Sequence, residues 1–271
     1  MIKTGSQFQK HYPCVLAIGG HDPSGGAGVI ADAQTLLALK TWPLTLITCL
    51  TAQNTRELCQ INPQEPEAFA AQLAALLKDF RPAAIKLGVT GSLALQEVLA
   101  HFLNRYPDIP LILDPVITSS SGTGFADQEQ LSHLKSELLP HTTVITPNLP
   151  ELDLLIPGKA SVEQKARALI KQGCKAVLVT GTHAQTRGVK NLLFTASSAD
   201  PVVSRWERLP HEYHGSGCTL ASALAACLAR GEPLDKASTL AQDFTWQSLE
   251  NALKLTEGQH LPLRLQSSTH G

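Results

Sequence analysis

The sequence predicts an α/β fold in which a mostly parallel sheet is covered by helices on both faces. Three observations predict it. Short apolar runs alternate with longer stretches of helical period. The runs are bounded by Gly, Pro or polar residues and are apolar throughout, as strands buried on both faces are. At 271 residues, with 43% hydrophobic and 17% charged, the chain can also bury a substantial core.

Taken in order, the parallel strands are expected at 14–18, 44–50, 83–87, 111–113, 144–146 and 176–179. Helices are expected between them at 27–39, 66–77, 93–106, 127–138 and 161–171. The last of these opens on Ser161-Val-Glu-Gln164, a capping-box pattern, and stops before Gly173. Beyond Val179 the pattern changes. Residues 189–194 and 202–209 read as antiparallel strands, and 216–229 and 233–253 as two closing helices. Neither an internal repeat nor a low-complexity linker interrupts the chain, so residues 1–271 read as one domain. A polar arm at 1–13 precedes it and a frayed tail follows at 267–271.

A formal charge of −1 and a pI near 6.8 give no electrostatic footprint for nucleic acid or anionic lipid, which points to a small-molecule partner. The six cysteines show no metal-ligand spacing and sit mostly in apolar runs, as free thiols in a reducing compartment do. No stretch has the length of a signal sequence core or a membrane span, so the expectation is a cytoplasmic protein.

Ligands of open parallel sheets bind at the carboxyl ends of the strands, and five segments with chemistry follow strands or open helices. Gly19 to Gly28 carries two glycines at Walker spacing, but Gly26 and Ala27 stand where a P-loop has Lys and Ser/Thr. Gly26-Ala-Gly28 also begins a dinucleotide-like pattern, without the acidic residue after the second strand that a ribose needs. A tight turn needing positive φ, or a loop stripped of side chains for a ligand, with Asp32 one helical turn on, remain open readings. Thr51-Ala-Gln-Asn-Thr55 is either a turn or a polar contact surface, where Gln53 offers a donor and an acceptor on one plane. Asp114-Pro115 ends a strand before a Ser/Thr/Gly run at 118–123. Asn148 and Glu151 form either an N-cap with a first-turn charge or a pair organising a hydrated Mg²⁺. His214-Gly-Ser-Gly-Cys218 opens an apolar helix, and its N–H groups make an anion site in which Cys218 is expected to have a lowered pKa. The His211/His214 pair lacks further ligands for a metal.

In this order, the segments resemble the hydroxymethylpyrimidine/phosphomethylpyrimidine kinases of thiamine biosynthesis. The similarity runs from about Cys14 to Ala229 and is strongest in Asp22-Pro-Ser-Gly-Gly-Ala-Gly28, Thr51 to Thr55, Ile145 to Glu151 and His214 to Thr219. The resemblance implies a ribokinase-like three-layer α/β/α sandwich that uses ATP and Mg²⁺ and acts as a homodimer. It implies phosphorylation of hydroxymethylpyrimidine and then of its monophosphate. It sets Gly20, Asp32, Gln53 and Val89 against the pyrimidine, and Asn148, Glu151, Thr180 and His214 against the nucleotide. Asp114 and Glu151 would hold the metal through water, and Gly215, Ser216, Gly217 and Cys218 would meet the transferred phosphoryl group, with Cys218 in the role a catalytic aspartate has elsewhere in the fold.

The chain departs from the family pattern at several positions. Thr180-Gly-Thr-His183 replaces Lys-Gly-Gly-His, no lysine stands near Ser120, His21 replaces a serine, and Val89 a methionine. Lys86, Arg187 or Lys190 are the candidates to replace the missing charge. The rival readings are a pyridoxal-type kinase of the same fold and a pyrimidine-binding protein without ATP turnover.

Overall fold

The computed structural model describes residues 12–118, 124–182 and 188–265. Among them, nine strands form one sheet: β1 Cys14–His21, β2 Trp42–Gln53, β3 Leu58–Pro63, β4 Ala84–Leu87, β5 Leu111–Leu113, β6 Val144–Ile145, β7 Ala176–Val179, β8 Gly188–Thr195 and β9 Val202–Glu207. Their spatial order is β3-β2-β1-β4-β5-β6-β7-β8-β9. The strands from β2 to β7 run parallel, and β3, β8 and β9 are antiparallel additions at the two edges.

Side chains of β1 alternate between the faces with the period of two that a pleated strand imposes. Cys14, Leu16 and Ile18 pack on one side with Phe69 and Leu73 of helix α2 (Pro66–Asp79) and Leu95 and Leu99 of α3 (Leu93–Arg105). Leu131 of α4 (Gln128–His133), Leu152 of α5 (Leu149–Leu155) and Leu169 of α6 (Val162–Lys171) complete that layer. Val15 and Ala17 face Leu36 of α1 (Gly28–Ala38), Leu220 and Leu224 of α7 (Ser216–Ala229) and Ala241 of α8 (Leu234–Glu250). This is the three-layer α/β/α arrangement, in which each fully buried leucine contributes about 1.5–3 kcal/mol before entropy is counted.

The expected capping box of α6 is present, with Ser161 accepting from the Gln164 amide. Three local expectations change. The segment 127–138 is not one helix: α4 passes into a π-helical stretch, Leu134–Leu138, and a 3₁₀ turn, Leu139–His141, as Pro140 removes an amide donor. Strand β3 follows β2 through a hairpin, so Thr51 to Gln53 lie within β2 and only Asn54 to Glu57 turn. The closing helix ends at Glu250 instead of 253. The arm at 1–11, the run 119–123 with Ser120, the segment 183–187 with His183 and Arg187, and the tail at 266–271 lie outside the described residues.

β1 pairs with β2 on one side and β4 on the other, so the crossover directions reverse at its carboxyl end. A crevice must open there, because the loops leave in opposite directions.

Candidate active site

A cleft of about 770 Å³ occupies that crevice. Gly20, Gln53, Val89, Asp114, Asn148, Glu151 and Thr180 line it from the strand ends, and His214, Gly215, Ser216, Gly217 and Cys218 line it from the start of α7. Of the residues expected at a site, all but Asp32 reach this one cavity.

The loop after β1 is built around Asp22. Its carboxylate accepts from the Ser24 amide at 2.8 Å, the Ser24 hydroxyl at 2.9 Å and the Ala27 amide at 2.8 Å, and pairs with His214 Nε2 at 2.8 Å. Burial would raise its pKa, but the bonds to His214 and Ser24 outweigh that and hold it at about 2. The same His214 meets Gln259 through Nδ1 at 3.1 Å, so this imidazole ties the β1 loop to the start of α7. Gly28 and Gly215 both have positive φ, and a Cβ on either would lie 2.2 Å and 2.1 Å from the Gly20 and Gly26 carbonyl oxygens. Both the conformation and the space therefore require glycine.

Asp32 does not touch the cleft, contrary to the expectation from sequence. It is fully buried, bonded by Ser222 Oγ at 2.8 Å and by Lys86 Nζ at 2.9 Å. Lys86, on β4, is 1% exposed yet lines the cleft floor, with Asp114 Oδ2 at 3.9 Å. Burial alone would lower the lysine pKa, but the Asp32 carboxylate, with Asp114 beyond it, raises it above its ordinary value. Asp32 thus acts behind Lys86. Of the candidates for replacement charge, Lys86 is at the cleft, while Lys190 is exposed on β8 and does not line it.

Asn148 and Glu151 make a full capping box on α5: the Glu151 amide donates to Asn148 Oδ1 and the Asn148 amide to Glu151 Oε2, both at 2.9 Å. The capping explanation is therefore correct for Asn148. Glu151 has more to it, since burial and then the Asp114 charge push its pKa up to about 8. Burial likewise pushes Asp114 up to about 6. Asp114 Oδ2 is buried without a hydrogen-bond partner. Two buried carboxyls with raised pKa values, Glu151 held up in part by the Asp114 charge and Asp114 carrying an orphaned acceptor, fit a hydrated cation. Among the described residues no group of three or more His, Cys, Asp or Glu converges as an all-protein metal cage.

Cys218 reverses its expected titration. Burial pushes the thiol up to about 12, and the Asp32 and Asp114 carboxylates add to this, outweighing Lys86 and the Gly28 amide. The helix field is present, but burial of the sulfur decides the sign. Gly217 brings the first turn of α7 to the Asp114 carboxylate, and the Cys218 thiol lies close enough to interact with it electrostatically.

The far wall was not anticipated from sequence. Trp206 and Trp246 stack with centroids 6.5 Å apart, and Gln242 accepts from Trp206 Nε1 at 3.0 Å and Asn191 Nδ2 at 2.9 Å. Arg208 lines this end and donates to the Thr182 carbonyl at 2.8 Å, beside the Thr180 loop. The aromatic spacing on two separate elements could have suggested a flat ligand face, but no local motif joins them.

A protein-family model described as phosphomethylpyrimidine kinase matches residues 22–264. A hydroxymethylpyrimidine/phosphomethylpyrimidine kinase of Haemophilus influenzae is 36% identical over 252 residues, 90% of this chain and 93% of that one. The crystal structure of a phosphomethylpyrimidine kinase from Clostridium difficile superposes with a TM-score of 0.75 at 29% identity, over 86% of this chain and 97% of that one. The pyridoxal kinase of Staphylococcus aureus in complex with AMP-PCP and pyridoxal gives a TM-score of 0.80 at 25% identity, over 93% and 94%.

Proposed function

The chain belongs to the phosphomethylpyrimidine kinase family, and from that premise we propose that its cleft transfers the γ-phosphoryl group of ATP to 4-amino-5-hydroxymethyl-2-methylpyrimidine and then to its monophosphate. The observation that carries the reading is that Gln53 and the Gly215–Cys218 turn line one cavity. The amide suits a ring nitrogen beside an amine, and the helix start suits a phosphoryl group. The Trp206/Trp246 wall and Arg208 lie at the end where the nucleotide would enter, and the Asn148–Glu151 and Thr180 loops lie between. The reading extends to a cytoplasmic homodimer; Trp42 and Leu50, 52% and 44% exposed on β2, are apolar surface of the kind a subunit contact covers. No helix among the described residues is long and apolar enough to cross a membrane.

Asp114 and Glu151 are the residues that would hold Mg²⁺, through water, where its charge would offset that of the phosphates. The transfer needs the substrate hydroxyl to lose its proton. Cys218, a neutral thiol near pH 7, lies beside Asp114; its sulfur would take the hydroxyl proton as its own proton passes to the Asp114 carboxylate. The turn at Gly215, Ser216 and Gly217 meets the negative charge with backbone N–H groups. ATP consumption measured with hydroxymethylpyrimidine, its monophosphate and pyridoxal tests the whole reading. Turnover with pyridoxal alone would favour the second reading, a pyridoxal kinase, which the TM-score of 0.80 to such an enzyme supports.

Gln53→Leu keeps size and removes both hydrogen-bonding functions. Gln53 is half-buried, so the expected loss of pyrimidine affinity is about 1.5–2 kcal/mol, with ATP affinity unaltered. Calorimetry showing equal pyrimidine affinity would remove Gln53 from the pocket.

Glu151 carries a pH signature. Its raised pKa adds stability that is fully present below the ordinary value of 4.5 and lost as pH rises through about 8. A cation binds the ionised form, so Mg²⁺ affinity should rise with pH towards about 8 and level off above it. Glu151→Gln keeps the capping box, and should raise the Mg²⁺ requirement, flatten that pH dependence and raise the melting temperature at alkaline pH. Unchanged Mg²⁺ titrations in the variant would reduce Glu151 to a helix-capping residue.

A further inference from the structure

We propose that Arg264, carried in by the C-terminal strap, is a positioning residue for phosphoryl transfer that sets the aim of the N–H groups at the start of α7. The inference rests on the kinase reading above. The strap returns from α8 alongside the segment before α7: the His214 amide donates to the His260 carbonyl and the His260 amide to the Glu212 carbonyl, both at 2.9 Å. It ends with Arg264, 2% exposed, between α1 and α7.

Each nitrogen of the guanidinium has an acceptor. Nη2 donates to the Gly26 carbonyl at 2.6 Å and leans on the Gly215 carbonyl at 3.4 Å; Nε donates to Thr219 Oγ1 at 2.8 Å, and Nη1 to Gln34 Oε1 at 3.1 Å. Thr219 Oγ1 in turn donates to the Gly215 carbonyl at 2.9 Å. A carbonyl and the next residue's N–H share one rigid plane and point in opposite directions. The Thr219 amide also donates to the Gly215 carbonyl at 3.0 Å, so α7 and Arg264 fix that carbonyl together, and the Ser216 N–H points the opposite way at the end of α7 that lines the cleft. The Gly26–Ala27 plane is gripped at both ends, the carbonyl by Arg264 and the Ala27 amide by Asp22.

The two glycine loops touch so closely that a Cβ at Gly215 would lie 2.1 Å from the Gly26 oxygen. That oxygen points into protein, and Arg264 is the donor that makes this burial tolerable. Only a planar fork can serve both carbonyls and the threonine at once, so lysine is not an equivalent here. Arg264 touches no reacting atom; it acts through Gly26 and Gly215.

The test compares kcat, both KM values and the melting temperature of wild type, Arg264→Ala and Arg264→Lys. Misaimed donors cost transition-state stabilisation more than ground-state binding. Arg264→Ala is expected to lower kcat by about 30-fold or more, and Arg264→Lys by about tenfold, with KM for ATP and pyrimidine within about threefold. A staple without influence on the site would lower the melting temperature and leave kcat in place. Should Arg264→Ala fail to fold, Arg264→Lys decides alone: wild-type kcat in that variant overturns the inference. If wild type turns over normally and Arg264→Ala stays within about threefold in kcat, the inference fails while the kinase reading stands. If wild type consumes no ATP with any acceptor, the kinase reading fails first and takes this inference with it.

Discussion

Lys86→Met is expected to lower the unfolding free energy by about 3–5 kcal/mol, the cost of leaving buried carboxylates without their cation. Methionine fills nearly the same space, so the loss is electrostatic and owes little to packing. Asp32, fully buried and 2.9 Å from Nζ, would keep only Ser222 as a donor, and Asp114 would lose the nearest positive charge to its unpartnered Oδ2. Denaturant unfolding at neutral pH measures the effect. Adding Asp32→Asn to Lys86→Met should recover part of the loss, because the pair disappears together. A decrease below about 1 kcal/mol for the single variant would show that the carboxylates ionise little in the folded chain, and would overturn the ion-pair account. Turnover should fall in parallel by about 10³-fold, since the same lysine faces the cleft beside Asp114 and Cys218.

That lysine shows where sequence reading stops. The run Ala84–Leu87 is recognisable as a buried strand from its apolar neighbours, and the strand is there with all four residues buried. What no local pattern states is that its one charge meets a carboxylate 54 residues away in sequence. Asp32 was expected at the pyrimidine because the family resemblance sets it there. In the folded chain it faces β4 and α7, where Lys86 and Ser222 satisfy it.

The parallel strands were legible because burial on both faces leaves a run of apolar residues, a signal confined to a few consecutive positions. β3 was not, because an exposed edge strand such as Leu58–Pro63 has one buried residue and otherwise reads as loop. The short helix α5 was hidden for a related reason: its seven residues hold two apolar turns, and its start was legible only as the Asn148/Glu151 capping pattern. The Gly-rich segments stood out in sequence because glycines leave backbone open to contact, and both line the cleft. Their mutual distance, and Arg264 between them, depend on the chain's last turn back across the molecule.

Cys218 joins both limits, and its substitution tests the proposed chemistry. Its place in the first turn of α7 was legible; its ionisation was not, because the sign is set by how deeply the folded chain buries the sulfur, with Lys86, Asp32 and Asp114 converging on it from other elements. With the thiol pushed up to about 12, a thiolate base would be scarce at neutral pH, and proton removal falls to the Cys218–Asp114 pair. Cys218→Ala breaks that relay and is expected to lower kcat by about 10²-fold or more, with ATP affinity little changed. Cys218→Ser restores a hydroxyl that can accept and donate, and should recover about tenfold of the loss. The pH profile separates the two chemistries. If Asp114 is the final acceptor, kcat rises as pH passes its pKa of about 6 and is flat above; a bound cation would only move that limb lower. If the thiolate itself is the base, kcat climbs about tenfold per unit from neutral pH to mildly alkaline pH in wild type, and that slope vanishes in Cys218→Ser. A flat wild-type profile together with wild-type kcat in Cys218→Ala would exclude both, leaving the sulfur as packing between α7 and the carboxylate.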